Sequence, residues 1–185
     1  MQRKVNMSDG KSALVVVDVQ NGFVTEHSAH VVPIIADLVA QWQATGRDVV
    51  FTRYINYAGS PFERIMGWSK LKDGAEIEIV DELQKYVSLA TGCIDKKIYT
   101  LFTDEGEKLV RSHGWTDLFI CGIDTEVCVL KTAVDAFERD ITPWILSDAS
   151  ASHAGRVAHD AGIIVAGKMI GRRQVIESRS VGSVS

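Results

Sequence analysis

The sequence lacks the features of a disulfide-bonded, secreted or membrane-inserted protein. It has three cysteines, and their spacing matches neither a disulfide framework nor a CxxC metal or redox pair. No apolar run approaches the ~18 residues of a membrane span, and residues 1–11 have no signal-peptide core. A net charge of −4 provides no basic field for nucleic acid or for a lipid surface. We therefore expect a cytoplasmic protein with neither a nucleic-acid nor a membrane partner.

Internal repeats, low-complexity segments and Gly-rich phosphate loops are also missing. With 185 residues, of which 46% are hydrophobic and 24% charged, the chain is long enough for one domain with a sizeable core. We predict an N-terminal extension over residues 1–11, a single domain over 12–178 and a frayed Ser- and Gly-rich tail over 179–185.

Apolar runs typical of strands alternate with helical patterns along the chain. Strands are predicted over residues 12–18, 48–52, 92–97, 117–121 and 142–148, with a last short strand within 168–178. Helices are predicted over residues 32–45, 106–113, 125–139 and 153–166, with a short helix or turn over 79–86. This alternation indicates an α/β fold with a mostly parallel sheet and right-handed crossovers.

The stretch around Cys128 indicates a buried strand, a tight turn at Gly122 and the start of a helix. Cys128 falls in the first turn of that helix, where backbone N–H groups and the helix dipole stabilise a thiolate. The alternative is that Cys128 packs as a small hydrophobe. For Cys93 and Cys121, which lie in apolar strand-like runs, we predict core packing.

Two other predicted strands end in charged residues at the same edge of the sheet. Asp18 closes the first strand, and Lys96 and Lys97 close the third. Ligands of open parallel sheets bind outside the carboxyl ends of the strands. A carboxylate there can take a thiol proton, and a lysine can stabilise the resulting charges. Adjacent strand residues point to opposite faces, so one of the two lysines faces the site; the alternative is that both lie in solvent.

Residues 53–72 are predicted as a long loop, and a loop of this length in a compact domain is usually functional or poorly ordered. Arg53, Tyr54, Asn56 and Trp68 are candidates for lining a substrate pocket. Packing of the aromatics in a solvated loop is the alternative for each of them.

Three blocks of the chain resemble the isochorismatase-like cysteine hydrolases. LVVVDVQNGF at 14–23 is similar to the first strand and D-x-Q-x-x-F segment of that family, and KKIYTLF at 96–102 is similar to its K-x-x-Y-S-x-F segment. GIDTEVCV at 122–129 with TAVDA at 132–136 resembles the signature G-x-x-T-D-x-C-V-x-x-T-A-x-D-A. The resemblance covers roughly residues 12–178. It implies a three-layer α/β/α fold with a doubly wound sheet of about six strands in the order 3-2-1-4-5-6.

The resemblance also implies a catalytic triad of Asp18, Lys96 and Cys128. Lys96 is preferred to Lys97 because it lies six residues before Phe102, as the family lysine does.

The family has a non-proline cis peptide bond, which the resemblance places at Ile123–Asp124, and it implies that the N–H groups of Asp124 and Cys128 form an oxyanion hole. Gln20 and Phe23 join the candidate substrate-binding residues.

The chain departs from the family at the site where nicotinamidases carry an Asp-x-His metal motif. Here the matching stretch is Arg53-Tyr54-Ile55-Asn56, and no histidine lies between His30 and His113. We therefore expect no metal and no cofactor. Asp124 and Glu126 also replace the small residue and the aspartate that are commoner in the signature.

We predict a metal-independent cysteine hydrolase that cleaves a small amide or carbamoyl C–N bond through a thioester on Cys128. Family members that cleave the isochorismate enol ether can lack the cysteine, so Cys128 favours the amide side. The alternatives are an enol-ether hydrolase in which Asp18 is the acid, a catalytically idle binding protein, and a redox thiol sensor. A small-molecule substrate and a homodimer or tetramer are implied by the resemblance.

Overall fold

The computed structural model describes residues 11–182. Residues 1–10 of the predicted extension and residues 183–185 of the predicted tail lie outside the described part. One sheet runs through residues 11–182, and its six strands are all parallel in the order β3-β2-β1-β4-β5-β6. The strands are β1 Ser12–Val17, β2 Asp48–Tyr54, β3 Gly92–Lys96, β4 Asp117–Ile123, β5 Thr142–Ala151 and β6 Val175–Ile176. The predicted doubly wound α/β fold is confirmed.

Helices cover both faces of this sheet. They are α1 Val32–Ala44, α2 Pro61–Met66, α3 Asp81–Val87, α4 Asp104–His113, α5 Leu130–Phe137 and α6 Arg156–Ala166. On one face, α1 and α3 contribute Ile35, Trp42 and Leu83 to the core. On the other face, α4 and α5 contribute Val110 and Ala133 to a second core. The molecule therefore has three layers.

The central position of β1 follows from its sequence. All of its residues are buried, and it pairs with β2 on one side and with β4 on the other. A continuous apolar run is typical of a parallel strand that is covered on both faces. The end of β1 is consequently enclosed by neighbouring strands, and this encloses Asp18 as well.

The prediction of a loop throughout residues 53–72 is wrong, because α2 lies within it. The Ser60 hydroxyl caps this helix by accepting the N–H of Glu63 at 3.1 Å, and Pro61 occupies the first turn. Gly67, with φ at 68°, ends it in the left-handed conformation. Serine, proline and glycine at these positions are ordinary helix start and stop signals.

The predicted core packing of Cys93 is also wrong, whereas that of Cys121 is confirmed. Because β3 is an edge strand, one of its faces is left uncovered. Along this strand Ile94 and Lys96 are buried while Cys93 and Asp95 are exposed. Apolar neighbours in the sequence did not indicate the edge position.

The chain after β6 lies against β5. Asp148 accepts hydrogen bonds from the backbone N–H and the hydroxyl of Ser178, at 2.7 and 2.6 Å. Ser180 is buried in the following turn. Within residues 11–182, none of the helices has both the length and the hydrophobicity that a bilayer crossing requires.

Candidate active site

Asp18 and Lys96 form an ion pair where β1 and β3 end. Lys96 Nζ lies 2.7 Å from Asp18 Oδ2, and neither side chain has any exposed surface. Asp18 immediately follows β1 and has a φ of 50°, while Lys96 is the last residue of β3. The two strands flank β2, so the pair spans the width of three strands.

Further hydrogen bonds hold each partner of the pair. The Thr52 hydroxyl donates to Asp18 Oδ1 at 2.6 Å. Lys96 Nζ donates to the carbonyl oxygens of Ile98 and Tyr99, at 3.1 and 3.0 Å. With Asp18 as its third acceptor, the ammonium group uses all of its donors. A buried charge pair with this many hydrogen bonds is held in one geometry.

Of the two adjacent lysines, the structure turns Lys96 toward Asp18. Lys97 is exposed, and its Nζ lies 5.2 Å from the centre of the Tyr57 ring. The opposite orientation of the two side chains follows from strand geometry.

Cys128 lies in a π-helical turn, Thr125–Val129, between β4 and α5. Its side chain is buried. The Asp124 carbonyl accepts the N–H groups of Val127 and Val129, at 3.2 and 3.1 Å, and so fixes the turn. A single π turn inside a helical segment is often found at functional sites.

The electrostatic environment of Cys128 joins it to the ion pair. Burial raises the pKa of the Cys128 thiol well above its ordinary value, and the charge of Asp18 and its hydrogen bond to the thiol raise it further, whereas Lys96 lowers it. Burial also lowers the pKa of Lys96, but the charges of Asp18 and Cys128 outweigh burial and raise it. The net direction for Cys128 is upward, opposite to the stabilisation of a thiolate that a helix terminus provides.

The peptide bond between Ile123 and Asp124 is cis and lies just before the turn that carries Cys128. Ile123 is fully buried, and Asp124 is nearly so.

Five side chains form what we call the aromatic cluster: Phe23, Tyr54, Phe62, Trp68 and Tyr99. The Phe23 and Trp68 rings are stacked at 6.0 Å, and Phe62 packs edge-on against Tyr54 at 5.0 Å and Tyr99 at 5.1 Å. The Tyr54 ring centre lies 5.6 Å from Lys96 Nζ.

The cluster adjoins Cys128. Burial raises the pKa values of Tyr54 and Tyr99, and the charge of Cys128 raises both further. Phe62 and Tyr99 were not among the predicted site residues. Tyr99 lies inside the second motif block and so carried a sequence signal, whereas Phe62 belongs to the helix that was missed.

Two of the predicted substrate-binding residues, Gln20 and Asn56, are engaged by the protein itself. The Gln20 amide donates to the carbonyls of Tyr54 and Ile77 at 3.0 and 2.7 Å and accepts the Tyr54 N–H at 2.7 Å. The Asn56 amide donates to the carbonyl of Lys70 at 3.0 Å and accepts from the Ser60 hydroxyl at 2.7 Å. Gln20 thus ties the end of β2 to Ile77, and Asn56 ties the segment before α2 to the segment after it.

The Arg53 side chain points to the face of the sheet opposite to that of Lys96, because Arg53 is paired with Asp95 in the register of β2 and β3. Its guanidinium donates to both carboxylate oxygens of Asp95, at 2.8 and 2.9 Å, and to Glu78 at 3.2 Å. The hydrogen bond with Asp95 raises the pKa of Arg53. Its predicted role in the substrate pocket is not supported by this geometry.

The residues at the position of the nicotinamidase metal motif do not fit a metal ion. Arg53 is a paired cation, and the Asn56 amide is bound to protein groups. Within residues 11–182, no three His, Cys, Asp or Glu side chains are grouped closely enough to hold a metal.

His153, which was not among the predicted site residues, is paired with Asp124. Asp124 Oδ1 accepts the His153 backbone N–H at 2.7 Å, and Oδ2 lies 2.6 Å from Nδ1. The hydrogen bond to Asp124 raises the pKa of His153, although burial lowers it. In the sequence, His153 lies two residues after the carboxyl end of β5. This position was the one sequence signal for a site residue, because ligands of parallel sheets bind at the carboxyl ends of strands.

Neighbouring polar side chains tie the π turn to the segment after β5. The Ser152 hydroxyl donates to Glu126 Oε1 at 2.6 Å, and the Thr125 hydroxyl lies 2.8 Å from Nδ1 of His159. The site thus combines a thiol, a carboxylate and an ammonium group in an enclosed setting. Such a set is suited to proton transfer from the thiol and nucleophilic attack by sulfur.

Comparison with known sequences gives a match to the isochorismatase domain family over residues 12–172. The ureidoacrylate amidohydrolase RutB of Pantoea ananatis is 25% identical over 193 residues, with 86% of this chain and 76% of that protein covered. Nicotinamidase 3 of Arabidopsis thaliana is 25% identical, with 81% and 78% covered.

Solved structures show the same fold. The N-carbamoylsarcosine amidase from Thermoplasma acidophilum has a TM-score of 0.76 and 25% identity, with 95% of this chain and 99% of that chain covered. The nicotinamidase PncA from Bacillus subtilis has a TM-score of 0.79 and 24% identity, with 90% and 99% covered.

Proposed function

The chain belongs to the isochorismatase family of hydrolases, and we propose that it is a metal-independent cysteine hydrolase of a small amide or carbamoyl compound. The observation that carries the proposal is the enclosed set of Asp18, Lys96 and Cys128. Asp18 and Lys96 both act on the pKa of the Cys128 thiol, and Lys96 Nζ lies 2.7 Å from Asp18 Oδ2.

In the first step, Asp18 takes the proton of the Cys128 thiol, and the sulfur forms a bond to the substrate carbonyl carbon. Lys96 stabilises the charges during this transfer. The carbonyl oxygen becomes an oxyanion, which accepts hydrogen bonds from the backbone N–H groups of Asp124 and Cys128. The C–N bond then breaks, and the amine leaves with the proton that Asp18 had taken.

In the second step, water cleaves the thioester on Cys128. Asp18, again a carboxylate, removes a proton from the water as its oxygen attacks the carbonyl carbon. The C–S bond breaks, the acid is released and the proton returns to sulfur. Cys128 and Asp18 are thereby restored without a cofactor.

The aromatic cluster provides the surface against which the substrate binds. Phe23 and Trp68 form its stacked pair, and Tyr54 reaches from it to Lys96. Aromatic side chains with a few polar groups are typical of small-molecule sites.

The names of the relatives favour amide chemistry. They include a ureidoacrylate amidohydrolase, an N-carbamoylsarcosine amidase and nicotinamidases. The poor fit of Arg53 and Asn56 to a metal supports a mechanism that proceeds without one.

The test is a screen of ureido acids, N-carbamoyl amino acids and simple amides for release of ammonia or amine. Turnover by the wild-type protein should disappear in Cys128→Ala while the melting temperature is kept. Cys93→Ala is the matched control, because Cys93 is exposed and lies outside the proposed triad. Mass spectrometry during turnover should detect the acyl adduct on Cys128.

Two outcomes contradict the proposal. Full amide turnover by Cys128→Ala removes the thiol from the mechanism. Turnover of an isochorismate-type enol ether that survives the same substitution supports the enol-ether alternative, in which Asp18 acts as the acid.

The homo-oligomer implied by the family resemblance stays a prediction, which light scattering of the purified protein tests. Helix α6 exposes Val157, Ile164 and Val165, apolar side chains that an assembly would remove from water.

A further inference from the structure

His153 is held rigidly at the margin of the proposed active site. Asp124 binds its backbone N–H at 2.7 Å and its ring Nδ1 at 2.6 Å, so one carboxylate fixes both the main chain and the imidazole. Asp124 itself is buried and lies four residues before Cys128. The position of the imidazole is thus coupled to the turn that carries the nucleophile.

The other edge of the imidazole is available to a ligand. Nε2 lies across the ring from the atom that Asp124 binds, and the side chain is 44% exposed. Within residues 11–182, Nε2 makes no hydrogen bond or ion pair to Asp124 or to any other residue. The ring centre is 5.9 Å from that of Phe23, which is stacked on Trp68. The imidazole, with its Nε2 unbonded, therefore borders the aromatic cluster.

The charges that face His153 favour its protonated form. The hydrogen bond to Asp124 and the charges of Asp124 and Glu126 raise its pKa, whereas burial and Lys70 lower it, and the net direction is upward. In the protonated ring, Nε2 is a hydrogen-bond donor. Two other cations of this region are unsuited to a ligand: Lys96 has no exposed surface, and Arg53 is paired with Asp95 and Glu78.

Building on the proposed function, we propose that His153 determines specificity by donating its Nε2–H to a carboxylate of the substrate. The substrate class is then an anionic amide, namely a ureido or carbamoyl acid in which a carboxylate accompanies the C–N bond that is cleaved. Asp124 positions the imidazole and the aromatic cluster binds the carbon skeleton. A charge-assisted hydrogen bond at a fixed ring discriminates strongly against a neutral analogue.

Two substitutions at this position separate ligand binding from structural support. In His153→Asn, the amide nitrogen takes the place of Nδ1 and keeps the bond to Asp124, but nothing replaces Nε2. In His153→Gln, the amide nitrogen lies near the place of Nε2, and the bond to Asp124 is lost. His159→Asn is the matched control, because His159 also binds the π turn through Thr125, whereas the ring contacts of Phe23 within residues 11–182 are with Tyr54, Trp68 and His153.

The measured quantity is kcat/KM for an N-carbamoyl amino acid and for its methyl ester. His153→Asn should lower kcat/KM for the acid about tenfold or more, through KM, and leave the ester unchanged. His153→Gln should retain more of the preference for the acid than His153→Asn does. For the wild-type protein, KM for the acid should rise with pH as His153 loses its proton, while KM for the ester stays flat. Equal losses on both compounds, or no loss on either, overturn the proposal.

Binding to the inactive Cys128→Ala protein distinguishes failure of this inference from failure of the proposed function. Calorimetry should show about tenfold tighter binding of the acid than of the ester, and His153→Asn should abolish the difference. If this preference is found but the wild-type protein turns over neither compound, the proposed function fails and the inference stands. Equal binding of the two compounds, or none, overturns the inference.

Discussion

Lys96 Nζ lies 2.7 Å from Asp18 Oδ2 although the two residues are 78 positions apart in the chain. Neither side chain has exposed surface, and the ammonium also donates to the carbonyls of Ile98 and Tyr99. The pair therefore has two consequences: it fixes the carboxylate that the proposed chemistry uses, and it makes the fold dependent on both charges.

Lys96→Met should destabilise the protein by about 3–5 kcal/mol, because it leaves the buried Asp18 carboxylate without its counter-charge. Lys97→Met is the matched control and should change the free energy of unfolding by less than about 0.5 kcal/mol, since Lys97 is exposed. Urea unfolding of both variants measures the difference. The double variant Asp18→Asn with Lys96→Met should recover part of the loss. Equal effects of the two lysine substitutions would show that the pair does not support the fold.

Alkylation of Cys128 by iodoacetamide should be slow at pH 7 and should still be increasing above about pH 8.5, the ordinary pKa of a thiol. Burial and Asp18 raise the pKa of the Cys128 thiol more than Lys96 lowers it. Peptide mapping in a Cys93→Ala background measures the rate, because that background removes the exposed thiol. A rate that is already constant from pH 6 to 8 would mean that the thiolate is preformed and that Asp18 is not needed to remove the proton.

The contribution of His153 to stability should be present at acidic pH and should decline as pH rises. Its pKa in the folded protein is raised above the ordinary value of about 6.5, chiefly by the hydrogen bond to Asp124. The folded state therefore binds the proton more tightly than the unfolded chain does. This stabilisation is complete below the unfolded pKa and is lost as pH rises through the folded pKa.

Urea unfolding of the wild type and His153→Gln between pH 5 and 8.5 measures this effect. The difference in the free energy of unfolding between the wild type and His153→Gln should become smaller toward high pH. His159 is the internal contrast, because burial lowers its pKa and its linkage has the opposite sign. If this difference in the free energy of unfolding increases with pH, the pairing of Asp124 with His153 is contradicted.

Gly162→Ala should impair both stability and turnover. A Cβ at Gly162 would lie 2.8 Å from the Cα and backbone nitrogen of Glu126, so α6 would have to move away from the π turn that carries Cys128. Overpacking of this kind costs about 1–3 kcal/mol.

Gly46→Ala is the control, because Gly46 has a φ of 70° but no atom within 4 Å of the added Cβ. It should lower stability by about 1 kcal/mol through backbone strain and leave kcat unchanged. Thermal unfolding and kcat are compared for the two variants. An unchanged kcat in Gly162→Ala would mean that the π turn does not depend on its contact with α6.

The local sequence and its family motifs were enough to propose Asp18, Lys96 and Cys128 as a triad. Each lies at a strand end or a strand–helix turn that its neighbours specify, and the carboxyl ends of parallel strands meet at one edge. The start and stop signals of α2 are also local, because they lie in Ser60, Pro61 and Gly67. Without that helix in the prediction, Phe62 was not predicted as a site residue.

Other parts of the site depend on long-range packing. The contact of Asp124 with His153 spans 29 residues and requires the register of β4 and β5. The exposure of Cys93 follows from the edge position of β3, which its apolar neighbours do not reveal.

The sequence by itself determined the alternation of strands and helices, the family and the three residues of the proposed triad, because these depend on local periodicity and short motifs. The tertiary structure decided the direction in which the pKa values of Cys128 and Lys96 shift, and what surrounds the proposed triad. Burial of the thiol beside Asp18 outweighs the charge of Lys96 and raises the pKa of Cys128. The pairing of His153 with Asp124 likewise arises only where two strand ends are brought together, because hydrogen-bond geometry and desolvation are properties of the folded chain.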